Sequence, residues 1–262
     1  MVLLVQDLNI QYHGSENGLY NVGFQIEKGR VLGLLGESGS GKSTICNAIL
    51  GLLTSETYIS GNIFLEEKEL LGLNWDKRNY INGKDIGTIM QNPMVAFDPC
   101  MKIKGHFVET LCTHLSCSKH DAILRGIDLL EEVGLKNGKR IMNSFPSYLS
   151  GGMLQRVMIA LAISLNPIFI VADEPTTALD RINQRIVLEL FSKIIKKYRP
   201  AMLLVSHDLQ VINTLADDIA VMKDGKIIEQ GKLKEIMSHP KTAYTKKLLL
   251  SANYMGVIDC LQ

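Results

Sequence analysis

The run Gly36-Glu37-Ser38-Gly39-Ser40-Gly41-Lys42-Ser43-Thr44 has the residue types and spacing to grip a chain of phosphates. It matches G-x-x-x-x-G-K-[ST], and it lies between an apolar run, Val31–Leu35, and a helical segment, the context this pattern requires. Its glycines let backbone N–H groups converge on phosphate oxygens, and the following helix N-terminus adds positive potential. Lys42 reaches the β- and γ-phosphates, while Ser43 can ligate Mg²⁺. A second constellation, Asp173-Glu174, ends the apolar run Ile168-Phe-Ile-Val-Ala. A buried strand ending there carries both carboxylates to the C-terminal edge of a sheet, where α/β ligand sites lie. Asp173 suits the Mg²⁺ shell through water, and Glu174 can polarise a water for attack on the γ-phosphate. Third is Leu149-Ser150-Gly151-Gly152-Met153, with Ser150 as a helix N-cap and two glycines leaving the backbone bare. That makes a second helix N-terminus able to receive phosphate. One bound nucleotide has no need of two such ends from one chain.

These residues must be held by a sheet covered with helices. Short strands are expected at Leu3–Tyr12, Leu19–Ile26, Val31–Leu35, Gly61–Glu66 and Ile86–Met90, with one helix, Lys42 to Leu52, among them. Residues 104 to 148 carry helical spacing, for example Ile123, Ile127, Leu130 and Val133, and read as an inserted helical subdomain. From 150 onward helix and strand alternate: a helix to Asn166, strand Ile168–Ala172, a helix from Arg181 to Lys197 and strand Met202–Val205. Such alternation favours a mainly parallel sheet. Asp224-Gly225 between apolar runs signals a type I′ hairpin, and helical spacing follows to the end.

Composition narrows the classes further. The chain has 262 residues, 46% hydrophobic and 21% charged, an ordinary globular balance. Lys+Arg 28 against Asp+Glu 27 leaves +1, too even for a protein held to nucleic acid by its own charge. The longest apolar runs, Ile159–Leu165 and Ile168–Ala172, fall far short of the roughly 18 residues of a membrane span. No positive n-region opens the chain, and Cys46, Cys100, Cys112, Cys117 and Cys260 form no paired framework, so free thiols in a cytosolic setting are expected.

The three motifs together resemble the ATP-binding-cassette ATPases, whose Leu-Ser-Gly-Gly-Gln signature closes over ATP held by the opposite subunit; Met153 stands here in place of the usual Gln. The resemblance implies an α/β P-loop (RecA-like) core with an N-terminal antiparallel β subdomain and an inserted helical subdomain. It further implies a single domain over 1–262: core and β subdomain at 1–90 and 150–235, helical subdomain at 91–149, helical tail at 236–262. It gives Tyr12 as an aromatic stacking on adenine, although alone Tyr12 reads as a strand aromatic. Gln91 resembles the Q-loop glutamine that touches Mg²⁺ and the attacking water. Ala178-Leu179-Asp180 resembles the D-loop, and His207 the switch histidine at the γ-phosphate, although a lone His at a strand end is usually structural. ATP and Mg²⁺ are the implied ligands, with Mg²⁺ at Ser43, Gln91 and Asp173.

Within the family, Met90-Gln91-Asn92-Pro93, Ala96-Phe97-Asp98-Pro99, the run after Ser150 and the tail His239-Pro240 with Ala243-Tyr244-Thr245 resemble ATPases of peptide and nickel importers. A tail carrying only Cys260 tilts the resemblance toward the nickel-importing members. The implied partners are a second, paralogous ATPase, two membrane permeases and, through them, an extracytoplasmic solute-binding protein, at the cytoplasmic face of the membrane and without nucleic acid. Cys112, His114, Cys117 and His120 invite a metal-site reading, but on a helix Cys112 and Cys117 stand about 500° apart at ~100° per residue, off any common face. A DNA-repair cassette would need a long coiled-coil insertion, a translation-factor cassette two phosphate loops, and a P-loop kinase leaves Ser150–Gly152 unexplained.

Overall fold

The computed structural model describes residues 1–14 and 18–251. Its contacts separate into two units, Met1–Leu73 with Ala201–Gln262, and Asn74–Pro200. Strands β1 (Leu3–Tyr12), β2 (Gly18–Ile26) and β3 (Val31–Leu35) are followed by helix α1 (Lys42–Leu50), strands β4 (Thr57–Leu65) and β5 (Lys68–Glu69), helix α2 (Trp75–Lys84) and strand β6 (Ile86–Ile89). Helices α3 (Pro93–Ala96), α4 (Ile103–His114), α5 (Lys119–Glu132), α6 (Gly138–Met142) and α7 (Gly151–Ile163) precede strand β7 (Phe169–Asp173) and helix α8 (Arg181–Tyr198). The chain continues as β8 (Ala201–Val205), α9 (Leu209–Leu215), β9 (Asp218–Lys223), β10 (Lys226–Lys232), α10 (Leu233–Ser238) and α11 (Ala243–Ser251).

In the first unit, β2, β1, β4 and β5 form an antiparallel sheet in that order. Along β1 the buried set changes parity, Leu3 and Val5 giving way to Leu8 and Ile10. A register shift against β4 between Gln6 and Asn9 absorbs the extra residue. Asp7 takes a left-handed φ of 48° there, opposite Gly61, where a Cβ would lie 2.4 Å from the Asp7 carbonyl oxygen. A bulge thus keeps Leu3, Val5, Leu8 and Ile10 all on the core face despite the change of parity. Strand β3 runs parallel to β8 and β9, and all five residues of β3 and of β8 are buried, as strands covered on both faces require. The β9–β10 turn has φ of 47° at Asp224 and 73° at Gly225, the two positive values a type I′ turn needs.

In the second unit β6 and β7 pair in parallel, Ile86 opposite Phe169. Helix α5 buries Ala122, Gly126, Leu129 and Leu130. A Cβ on Gly126 would crowd Phe107 at 3.0 Å and the Met142 methyl at 2.7 Å, so the bare helix face eases the approach of α4 and α6.

The expected α/β cassette architecture, with its antiparallel β portion and helical insertion, is what forms. Several boundaries move. Helix α2 arises where only strands and turns were expected: Asn74 accepts a hydrogen bond from the Lys77 N–H as N-cap, yet only Arg78 and Ile81 are buried and Trp75 is 67% exposed, leaving no apolar stripe to announce the helix. Strand β4 starts at Thr57, four residues before the expected Gly61, and stops before Glu66, which has φ of 54°. Strand β7 runs one residue further than expected, so Asp173 is its last residue. Helix α10 begins at Leu233, ahead of the expected tail boundary at 236, and α11 follows it; the rest of the expected tail, residues 252–262 with Cys260, lies outside the described residues.

Candidate nucleotide-binding site

In the first unit, the loop after β3 ends in Gly41, with φ of 104°, as N-cap of α1. A Cβ there would lie 2.5 Å from Leu19 Cδ2, and one on Gly36 would lie 2.5 Å from the Met222 carbonyl oxygen, so the loop path is open only to glycine at both positions. Lys42 is buried, and its ammonium donates to the carbonyl oxygens of Gly36 and Glu37, both at 2.8 Å. A desolvated ammonium held by its own loop is placed to meet phosphate without a search through rotamers. Ser40 is buried, with its N–H donating to the Glu37 carbonyl at 3.2 Å and its own carbonyl accepting from Gly225 N–H at 3.1 Å. Glu37, Ser38, Gly39 and Ser43 are exposed. Tyr12, at the end of β1, donates its hydroxyl to Thr44 Oγ1 at 3.4 Å, which sets an aromatic ring beside the first turn of α1. His207 is exposed on the loop after β8, ahead of α9, whose N-cap Asp208 accepts from the Gln210 N–H at 2.8 Å.

In the second unit, Gln91 is exposed just beyond β6, before Asn92 caps α3 through the Met94 N–H at 3.0 Å. Asp173 closes β7, and Glu174 follows it with a left-handed φ of 47°. A glutamate in that region costs conformational energy, a strain that clusters at functional sites. Thr177 Oγ1 donates to Glu174 Oε2 at 2.7 Å, fixing the carboxylate, and Gln155, buried in α7, donates to the Pro175 carbonyl at 2.8 Å, fixing the turn that bears it. Ser150 caps α7, its hydroxyl accepting from Met153 N–H at 3.3 Å. A Cβ on Gly151 would meet nothing within 4 Å, whereas one on Gly152 would lie 2.6 Å from Asn183 Oδ1. Asn183 in turn donates its amide to Asp180 Oδ2 at 2.6 Å, and Asp180 caps α8 through the N–H groups of Ile182 and Asn183. The backbone donor of Asn183 first, then its side chain, hold the Asp180 carboxyl below the ordinary carboxylate value. Asn183, held by Asp180, thus packs directly over Gly152, so the Ser150–Gly152 and Asp180–Asn183 segments lie side by side.

The cysteines correct the helix-angle argument. Helix α4 stops at His114, so Cys117 lies on the following turn and its Sγ comes back to 3.8 Å from Cys112 Sγ. Burial and the Cys112 thiol raise the Cys117 pKa. His114 packs instead on Tyr80, ring centroids 5.6 Å apart. Among the described residues no group of three or more His, Cys, Asp or Glu is arranged to hold a metal ion.

Residues 19–177, more than half of the chain, match the family described as ABC transporter. The chain belongs to the ABC transporter family. It is an ATPase of the ABC type. The metal-staphylopine import system ATP-binding protein CntD of Staphylococcus aureus (strain Mu50 / ATCC 700699) is 44% identical over 249 residues, 95% of this chain and 92% of that protein. The oligopeptide transport ATP-binding protein OppD of Lactococcus lactis subsp. cremoris (strain SK11) is 43% identical, covering 90% of this chain and 70% of that one. Among solved structures, the dimeric post-hydrolysis state of the ATP-binding cassette MJ0796 bound to ADP and Pi superposes with a TM-score of 0.77 at 28% identity, over 88% of this chain and 98% of the other. No helix among the described residues is long and apolar enough to cross a membrane.

Two contributors escaped the sequence reading. Gln155 stood within a recognised run without a role, and Tyr244, whose hydroxyl accepts from Glu37 N–H at 3.3 Å, lies 207 residues from its partner. No local spacing signals such a contact.

Proposed function

We propose that this ABC ATPase is the ATP-hydrolysing subunit of a membrane importer that takes up nickel, a related metal or a metal chelate. The observation that carries the transporter part is the open N-terminus of α7, with Ser150 exposed as its cap and free space at Gly151, on a chain that has its own phosphate loop elsewhere. A second helix end of this kind serves an ATP bound by another subunit. The metal part is supported by the relative named for metal-staphylopine import, which is matched over nearly its whole length. An oligopeptide importer is the second reading, supported by the peptide-transport relative.

In this reading residues 36 to 44 cradle the phosphates, Lys42 binds the β- and γ-phosphates, and Tyr12 stacks on adenine. Ser43, Gln91 and Asp173 offer only oxygen donors, the set that suits Mg²⁺. Bound there, Mg²⁺ supplies neutralisation of the charge developing on the phosphate oxygens. Glu174 takes a proton from the attacking water, with Thr177 holding its carboxylate in place. Gln91 orients that water, and His207 contacts the γ-phosphate. Ser150, Gly151, Gly152 and Asp180 act on the nucleotide of a paralogous ATPase subunit, closing the pair when ATP is present. Two permeases anchor the pair to the cytoplasmic face of the membrane and receive solute from an extracytoplasmic binding protein.

Uptake of radiolabelled nickel, free and chelated, and of a labelled peptide by a strain lacking the gene tests the reading. Loss of metal uptake alone supports it, loss of peptide uptake alone favours the second reading, and loss of neither removes the importer assignment.

A further inference from the structure

The peptide unit between Gly36 and Glu37 is held at both ends. Its carbonyl accepts from the Lys42 ammonium at 2.8 Å, and its N–H donates to the Tyr244 hydroxyl at 3.3 Å. Rotation of this unit would break both contacts together, and the crowding of Gly36 by Met222 O and Ser40 Oγ blocks the space on one side. Tyr244 comes from α11, near the far end of the sequence, and its position is itself enforced. Glu229, buried on β10, accepts from the N–H groups of Lys241 at 2.8 Å and Thr242 at 3.1 Å, one on each carboxylate oxygen, at the start of α11. Thr242 and Thr245 hydroxyls meet at 2.8 Å, and Thr245 and Leu249 are buried. The Lys223 ammonium stands 5.3 Å from the centre of the Tyr244 ring.

We propose that Tyr244 is a positioning residue of the nucleotide site: its hydroxyl fixes the Gly36–Glu37 peptide plane, whose carbonyl sets the Lys42 ammonium for phosphate. The C-terminal helix is then part of the nucleotide-binding machinery. The loop between Gly36 and Lys42 contains two residues with positive φ, Gly39 and Gly41, and belongs to neither strand nor helix, so its shape depends on tethers of this kind. A loop that must find its binding shape after ATP arrives loses affinity by the cost of ordering it, whereas a tethered loop has already met that cost in folding. The proposal rests on the phosphate-loop reading of residues 36 to 44.

Tyr244→Phe tests it, since it keeps the ring, the packing and the cation–π contact and deletes only the acceptor. Binding of a fluorescent ATP analogue with Mg²⁺, steady-state ATP hydrolysis and thermal unfolding of the nucleotide-free protein are measured on the full chain. Expected are a dissociation constant and a KM for ATP raised about three- to tenfold, the loss of one hydrogen bond, with kcat within about twofold and the nucleotide-free melting temperature unchanged. An unaltered affinity and KM overturn the proposal. So does a lowered melting temperature with kcat falling and KM constant, which marks a merely structural contact. Lys42→Ala, run in parallel, separates the two levels: if it leaves ATP affinity intact, the phosphate-loop reading fails, whereas a loss there with Tyr244→Phe silent removes Tyr244 alone.

Discussion

At the scale of single residues, the carboxylate of Glu174 and the ammonium of Lys42 carry opposite tasks and give opposite kinetic signatures. Glu174→Gln keeps the shape and the Thr177 contact but removes the base. We predict ATP binding retained, turnover reduced about 10²–10⁴-fold and a closed ATP-bound pair trapped; near wild-type hydrolysis would end the role of Glu174. Lys42→Ala removes a charged contact to phosphate, and its effect belongs in binding: affinity falls about 10–100-fold, read by titration with labelled nucleotide. Both residues were legible in the sequence because each sits in a run whose spacing alone dictates its geometry. Tyr244, Gln155 and the Cys112–Cys117 approach were not. Each depends on where an element ends or on which distant segment folds back, and neither fact leaves a mark within a short window of sequence.

At the scale of elements, the starts of α7 and α11 each carry a test. Ser150→Arg sets a bulky side chain at the open N-terminus of α7 without touching the phosphate loop. The expectation is nucleotide affinity of the isolated chain near normal, with ATP-driven pairing and transport lost; if both fall together, or neither falls, residues 150 to 152 do not act across a subunit pair. Helix α11 begins on Glu229. Burial pushes that carboxyl up, but donation from Lys241 N–H, Thr245 hydroxyl and Thr242 N–H outweighs it and leaves the pKa below the ordinary 4.5. A depressed carboxyl contributes stability above its unfolded value and loses it as pH falls through the folded one. The difference in melting temperature between wild type and Glu229→Gln is therefore full at about pH 7 and shrinks below about pH 4; a difference that grows on acidification contradicts the assignment. Strands with clean apolar runs, such as β3 and β8, were readable in advance because burial on both faces leaves them no polar positions. Helix α2 was not, because a helix burying only Arg78 and Ile81 is maintained by its Asn74 cap and its neighbours more than by an apolar stripe.

At the scale of the whole chain, ligand binding and folding are linked. ATP that binds only the folded form at 100 times its dissociation constant adds about 2.7 kcal/mol. At ~2–4 °C per kcal/mol for a chain of this size, that is a rise of roughly 5–10 °C in melting temperature. We predict such a rise with MgATP and, at the same ATP concentration, one cut to roughly 1–6 °C in Lys42→Ala, whose binding is about 10–100-fold weaker; equal rises in both would place the nucleotide elsewhere. Helix α2 brings one last consequence, an optical one. Trp75 is the chain's single tryptophan and is 67% exposed. All intrinsic indole emission thus originates from one water-facing ring at the first position of α2. Collisional quenchers reach that ring in the native state, and with excitation at wavelengths the eight tyrosines do not absorb, any nucleotide-dependent change in quenching reports on the surroundings of Trp75 with no label attached.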